Sequence, residues 1–444
     1  MKKLWEKGTP TTQQVEDFTT AADRIMDLKL APYDVLGSIA HAKMLHKTGF
    51  ISAQECSQLE KSLRKIMKTI KKGEFEIAEG VEDVHSQIEI MLTEELGDTG
   101  KKLHTARSRN DQVLLDLKLF TRDALKETVK LTQKLFNTLI RLSNKNKRIL
   151  MPGYSHMQVA MPSSFGLWFG AYAESLVDDL TLLLAAYRIS DQNPLGSAAG
   201  FGSSFPIDRC LTTELLGFKS LQVNSAYAQM SRTRGEKTVA FALASLANTL
   251  SRLAMDICLY SGQNFGFFTL PEEYTTGSSI MPHKKNPDVF ELIRARCNKL
   301  AALPVEISFI AQNLPSGYHR DYQVTKQSFM GAFEEIRECI LITETIVEEL
   351  QINREIIGDE DYDLLFSVEE VNKLVMEGIP FRNAYKMVAE KIDNKEYTPE
   401  RNLHHTHEGS IGNLCNNMIE SKLEAIMYQF NFPKAEIAIK NLLG

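Results

Sequence analysis

Two segments of the chain carry apolar residues at alternating steps of four and three. Val239, Leu243, Leu246, Leu250, Leu253, Ile257 and Tyr260 form one series. Phe329, Phe333, Ile336, Ile340, Thr343, Val347 and Leu350 form the other. Each series spans three heptads, the pattern of a helix that buries one seam in a bundle. Ala240, Ala244, Ala247 and Ala254 flank the first seam, so a neighbouring helix can approach closely. A third long helix is predicted over 110–143, lined by Val113, Leu117, Phe120, Ala124, Leu131 and Leu135, and a fourth over 164–190. Strand-type alternation runs for no more than a few residues. The pattern predicts an all-α fold.

The same reading divides the chain into three helical domains. Residues 1–106 are the first. A helix over 31–47 carries Val35, Ile39, Ala42 and Leu45 on one side. Ser52 opens the next, with Glu55 three residues on as a capping box. The basic run 61–72 reads as a solvated face. Glu82, Asp83 and His85 open a further helix. They are either substrate contacts or ordinary acidic charge at a helix N-terminus. Residues 107–355 form the long-helix body, in which Pro304 is expected to kink the helix that starts after Pro287. Residues 356–444 read as a small helical tail, with a turn at Gly378-Ile379-Pro380 before a helix start. Helices of 30 to 40 residues would be roughly 45–60 Å long. One chain cannot cover the apolar faces of several such rods, so an oligomeric bundle is expected.

Composition narrows the function. Of 444 residues, 43% are hydrophobic and 24% charged, which is ordinary for a globular protein. The net charge of -6, from 51 basic and 57 acidic residues, leaves no basic footprint for nucleic acid. Cys56, Cys210, Cys258, Cys297, Cys339 and Cys415 are scattered without a C-x-x-C pair. They read as buried free thiols in a reducing compartment. Met1-Lys2-Lys3-Leu4-Trp5-Glu6 opens no signal-type apolar run. No stretch approaches the roughly 18 uninterrupted apolar residues of a membrane span. A cytoplasmic protein without membrane contact is expected. His404, His405 and His407 lack carboxylate or Cys partners at ligand spacing, so no metal site is expected there.

Three stretches carry candidate chemistry. The loop 277–287 begins with Gly277, Ser278 and Ser279 and contains Pro282 and Pro287. Its Lys284, Lys285 and Asn286 are donors for a developing oxyanion. The stretch 103–112 sets Arg107, Ser108, Arg109 and Asn110 before a long helix. Two Arg at the positive end of a helix dipole are disfavoured unless an anion binds there. The stretch 151–158 reads as a Pro/Gly turn presenting Ser155, His156 and Gln158. The chain has no P-loop and no G-x-G-x-x-G.

The loop resembles the GSSxMPxKxNP signature of the fumarase/aspartase superfamily, whose members eliminate fumarate from succinyl-type substrates. Together the three stretches resemble the argininosuccinate lyases, with HTxRSRNDQ at 104–112, PGYTHxQ at 152–158 and GSSxMPxKKNP in the loop. Glu291-Leu292-Ile293-Arg294 is similar to that family's ELIR. Residues 314–326 are similar to its LPSxYxxDxQxxK, and 380–384 to its PFRxA. There are departures. Ser155 stands where Thr is usual and Tyr385 where His is common. The N-terminus lacks the usual GGRF, and Asp23 falls at a substrate-contacting Ser of the family.

The resemblance implies cleavage of argininosuccinate to L-arginine and fumarate, the last step of arginine biosynthesis, with no metal or organic cofactor. It implies Ser278 as the base, Lys284 and Asn286 as stabilisers of an aci-carboxylate carbanion, and His156 as the acid to the leaving nitrogen. Glu291 would charge the imidazole, and the acid and base roles are exchangeable. Implied substrate contacts are Ser108, Arg109, Asn110, Ser155, Tyr318, Gln323 and Lys326. The family's sites are built from three subunits of a homotetramer. Two alternatives stay open: a fumarate-releasing lyase on another N-substituted aspartate, and a non-catalytic relative, since lens delta-crystallins share this family.

Overall fold

The computed structural model describes residues 12–444. The readings on Met1 through Glu6 and on the missing GGRF lie outside these residues. The first helix, α1 (Gln13–Lys47), runs through Pro32. It is followed by α2 (Ala53–Lys71), α3 (Val84–Leu96) and α4 (Asp98–Lys102). At the start of α2 the Glu55 N–H donates to Ser52 Oγ and the Ser52 N–H donates to the Glu55 carboxylate, closing the expected box. Val35 and Ile39 of α1, Leu59 and Leu63 of α2, and Ile88 and Leu92 of α3 pack into one apolar cluster. Leu115 and Leu119 of the next helix complete it.

That helix, α5 (Arg109–Asn146), has 38 residues and is therefore about 57 Å long. It leads into an antiparallel hairpin, β1 (Leu150–Ser155) and β2 (Gln158–Ser164), and then α6 (Phe165–Ser190). Short helices α7 (Arg209–Leu215) and α8 (Ser225–Met230) precede α9 (Arg234–Tyr260). After the 277–287 loop come α10 (Asp288–Ala301), α11 (Leu303–Ile310) and α12 (Thr325–Glu349). Side-chain pairs set the directions. Arg337 meets Glu127 and Lys134 meets Glu344, so α12 runs parallel to α5. Asp179 meets Ser245 and Trp168 meets Asp256, so α9 runs antiparallel to α6. Ser251 meets Asn298 and Met255 meets Arg294, while Lys299 meets Glu335 and Arg296 meets Glu338, so α10 runs antiparallel to α9 and α12.

The two heptad seams lie where the pattern puts them. Val239, Leu243, Leu246, Leu250, Leu253 and Ile257 are buried, as are Phe329, Phe333, Ile336, Ile340, Thr343 and Val347. The four flanking alanines are buried too. Leu350 falls just past the end of α12. The fold is all-α with small strand additions. By length and composition α9 also resembles a membrane span, with mean hydropathy 1.2, but 56% of that window is buried inside the chain. It is a core helix of the bundle.

Three expectations are corrected. The Pro/Gly turn at 151–158 is a β-hairpin. Its inward alternation is broken by the pairing of Pro152 with Pro162 and by a bulge between Pro152 and Tyr154, which hides the period of two. Gly153 sits in that bulge, where a Cβ would come within 2.6 Å of the Met161 carbonyl. The helix expected to kink at Pro304 is interrupted for one residue, Ala302, which keeps helical torsions: α10 ends at Ala301 and Pro304 lies in the first turn of α11. Of the six thiols, all free, Cys56, Cys297 and Cys339 are buried, whereas Cys258 and Cys415 are half-buried and Cys210 is exposed.

Beyond α12 the chain contains α13 (Ser367–Met376), α14 (Phe381–Asp393), α15 (Asn416–Met427) and α16 (Phe432–Leu443). Val371, Ala384 and Val388 give α13 and α14 a small core of their own. Ile419 and Leu423 of α15 join the main core instead. At the end of α16, Leu442 joins the N-terminal cluster, and Arg64 donates to the carbonyls of Leu442 and Leu443.

Candidate active site

The start of α5 forms one wall of a cavity of about 190 Å³. Ser108 caps the helix, its Oγ accepting from the Asn110 N–H at 3.3 Å, and Asp111 accepts from the Ser108 N–H at 2.9 Å. This cap turns Arg109 and Asn110 toward the cavity. Tyr318, Gln323 and Lys326 face them from the 314–326 segment, which follows α11. Five of the seven residues named as substrate contacts thus share one space.

Arg109, Arg320 and Lys326 are each paired with acids of the chain. Arg109 pairs with Glu82 at 2.8 Å and Asp83 at 3.3 Å, and Arg320 pairs with Glu82 at 3.2 Å. Lys326 pairs with Asp23 and Asp27, each at 2.8 Å. Arg320 is not among the implied substrate contacts, Glu82 is open between a substrate contact and helix-terminal charge, and Asp23 is noted only as a departure from the family's Ser. Their partners lie far away in sequence, so only the acidic pair before Val84 hinted at them. Arg107 departs from its expected role. It turns away from the cavity and donates to Ser38 of α1 at 2.9 Å. The charge of Arg109 is met by acids of the chain itself.

Beneath the cavity lies a buried ionic cluster. His85 Nδ1 is 2.9 Å from Asp34 and 3.6 Å from Asp116. Burial alone would lower the imidazole pKa, but the charges of Asp34, Asp116 and Asp83 raise it to about 10. Burial also raises Asp34, yet the His85 charge and hydrogen bond outweigh it and hold that carboxyl below its usual value. Burial, then the charge of Asp34, pushes Asp116 well up. Asp34, His85 and Asp116 are the one metal-type group among the described residues.

The sign of the resulting pH effect is definite. The folded-state pKa of His85, about 10, lies above its ordinary value of 6.5. Its contribution to stability is fully present below about pH 6.5 and is lost as pH rises through about 10. His85→Gln should destabilise the protein by about 3–5 kcal/mol, because Asp34 loses its buried ionic partner and keeps only the long hydrogen bond from Gln112 and the more distant charge of Arg107. Urea unfolding from pH 6.5 to 10 checks both points. A variant with the wild-type pH slope would mean that His85 is not the buried cation.

Ser278, Lys284, Asn286, Glu291, Ser155 and His156 lie at the other end of the bundle. Thr276 and Asn286 close the neck of the loop through a β-bridge. Asn286 Nδ2 donates to Thr276 Oγ1 and to the Gly277 carbonyl, each at 3.4 Å. Lys285 pairs with Glu272 at 2.6 Å, while Lys284 is exposed. Ser278 Oγ accepts the N–H groups of Met281 at 3.1 Å and Ile280 at 3.4 Å. Two donors aimed at one hydroxyl oxygen favour its ionised form.

The hairpin tip holds Ser155 and His156, both exposed. His156 and Met157 have φ of 55° and 60°. Consecutive left-handed residues are what a tight hairpin turn demands, and Asn-Gly usually supplies them. Here an imidazole occupies the strained corner, and strain of this kind gathers at functional sites. Tyr154 anchors the strand behind it against Phe265 and Phe267. Among the described residues Glu291, exposed in the first turn of α10, makes no ion pair with His156 of its own chain.

The candidate residues therefore fall into two groups, two candidate half-sites. Arg109 opens α5, and the hairpin follows its end, so a rod of 38 residues, about 57 Å, separates them. The loop stays with the hairpin, because Phe268 packs on Phe165 at the head of α6, and Tyr274 donates to Glu349 at the end of α12.

Comparison with known proteins places these motifs. The family described as lyase matches residues 7–301. The argininosuccinate lyase of Bacteroides fragilis is 57% identical over 443 residues, covering 100% of this chain and 99% of the relative. That of Thermotoga neapolitana is 40% identical over 395 residues, covering 89% of this chain and 99% of the relative. An EDDS lyase solved in complex with formate has a TM-score of 0.74 at 22% identity, covering 98% of this chain and 94% of that one. At that identity the likeness is one of fold. The likeness at 57% identity runs from end to end, and on it the chain belongs to the lyase family and, within it, to the argininosuccinate lyases.

Proposed function

We propose that the chain splits argininosuccinate into L-arginine and fumarate, through an aci-carboxylate carbanion. The full-length likeness to an argininosuccinate lyase carries this reading. The difficult step is loss of a weakly acidic proton beside a carboxylate. It becomes feasible when fixed donors take up the charge that moves onto that carboxylate. Lys284, Asn286 and the backbone N–H groups of the loop are such donors. The long bonds from Asn286 to its own loop are readily exchanged for bonds to substrate.

Ser278 is the base in this reading. A free hydroxyl is too weak for the task, and the Met281 and Ile280 N–H groups on its oxygen supply part of the required stabilisation. Exclusion of water supplies more. His156 protonates the departing nitrogen, a role for which imidazole is suited near neutral pH. Glu291 orients and charges that imidazole from another copy of the chain. Ser108, Arg109, Asn110, Tyr318, Gln323 and Lys326 hold the arginine end, and Ser155 joins from the hairpin. Interchange of the acid and base roles of Ser278 and His156 leaves this geometry the same.

The two half-sites meet only if copies associate with their bundles antiparallel. A homotetramer with sites built from three chains meets this requirement. Phe241 of α9, Leu292 of α10 and Phe309 of α11 are 58%, 62% and 71% exposed, apolar area that such an assembly would cover.

Incubation with argininosuccinate, followed by fumarate absorbance, tests the reaction. Fumarate release is the expected result. Release from another N-substituted aspartate but not from argininosuccinate would favour the related lyase. No release from any would favour a non-catalytic relative.

A further inference from the structure

Lys326 is a buried ammonium held by two carboxylates at equal distance. One positive charge against two negative ones leaves a surplus negative charge. The two acids are not equivalent. Asp27 has 2% side-chain exposure and also accepts the Val84 N–H at 3.3 Å, so it is fixed in the core. Asp23 has 14% exposure and stands between two spaces, the cavity of about 190 Å³ and an adjoining one of about 420 Å³. Burial raises its pKa against the pull of Lys326, and the charge of Asp27 raises it further. The nearby Arg232 is committed to Glu236 at 2.8 Å and to the Tyr322 carbonyl at 3.0 Å. Asp23 is therefore the less well satisfied carboxylate, and it is the one that borders open space.

We propose that Asp23 receives the α-ammonium group of the substrate's amino-acid end while Lys326 and Gln323 receive its α-carboxylate. The inference rests on the reaction proposed above. An incoming amino-acid head splits an ion pair that already exists. Each half of that pair exchanges one opposite charge for another, so no charge is left unpaired in a poorly solvated place. Asp27 keeps Lys326 anchored during the exchange. Asp23 thereby selects substrates whose tail ends in a zwitterion over those with a carboxylate alone. A hydroxyl at this position would provide a hydrogen bond but no charge.

L-arginine and 5-guanidinopentanoate, which lacks only the α-ammonium, are the probes. Calorimetry on the full-length wild-type protein should show L-arginine binding roughly ten- to hundredfold tighter, the worth of one charge-assisted hydrogen bond. Asp23→Ser and Asp23→Asn should reduce that preference to within about threefold, by weakening L-arginine alone. Equal affinities in the wild type would overturn the proposal. So would a preference that survives in both variants. If neither variant folds, the wild-type comparison decides. Wild-type protein that binds L-arginine with this preference yet releases no fumarate would refute the proposed reaction and leave the Asp23 assignment standing.

Discussion

Replacing Ser278 by Ala abolishes fumarate release and leaves argininosuccinate bound. The expected loss in kcat is at least 10²–10⁴-fold, the usual worth of a positioned acid or base. The substitution is well suited to separating chemistry from folding. Ser278 is half-exposed in a loop, and the hydrogen bonds recorded at its Oγ come from Ile280 and Met281 of that same loop. The neck at Thr276 and Asn286 is held by backbone bonds of 2.9 and 3.3 Å that do not involve it. On the proposed reading the arginine end is held around Arg109, at the far end of α5, so Kd should change by no more than a few-fold. Fumarate absorbance gives kcat and calorimetry gives Kd on the same preparation. Retention of kcat within about tenfold would remove Ser278 as the base and return that role to His156.

The long-range plan of the bundle was legible because burial on one side of a helix repeats every three to four residues. Val239 to Ile257 and Phe329 to Val347 state that period without interruption, and each of those positions is buried. The capping box at Ser52 was equally local and equally readable. The hairpin was not. Its period is broken by prolines and a bulge, and its left-handed corner carries His-Met in place of the usual glycine signal. Pro304 announced a disturbance but not whether the helix would bend or stop.

The motif residues around the cavity could be named from resemblance, but their electrostatic setting could not. Arg320 and Glu82 are 238 positions apart, and Lys326 and Asp23 are 303 apart. Pairs at such separations arise from the return of α12 alongside α1 and α5, which no local pattern states. The same limit misled the reading of Arg107 and Arg109. Both look anomalous at the head of a helix, yet one is turned into α1 and the other is met by Glu82 and Asp83. An unfavourable charge in a sequence can be answered by the protein itself as readily as by a ligand.

Mixing two inactive variants should restore activity. Ser278→Ala disables the loop half-site, and Arg109→Ala disables the cavity half-site. Each homo-oligomer then has every site damaged. In a mixed oligomer, some sites take the loop from an Arg109→Ala chain and the cavity from a Ser278→Ala chain, and these sites are intact. Random association at equal amounts gives each site one chance in two for each contribution, so about a quarter of sites recover. The double variant Ser278→Ala/Arg109→Ala, mixed with wild type at the same ratio, also leaves about a quarter of sites intact, since both contributions must then be wild type. The starting points differ, however: the first mixture rises from almost no activity, whereas the second falls from full activity. Dissociation in mild denaturant followed by joint refolding, with fumarate release as the readout, makes the comparison. Variants refolded separately and then combined provide the baseline. If joint refolding gives no more activity than that baseline, each chain completes its own site. The separation of Arg109 from the hairpin by the whole of α5 would then have to close by a rearrangement within one chain. A helix of 38 residues with Leu125, Val129, Leu135 and Leu139 locked into the main core offers no hinge for it.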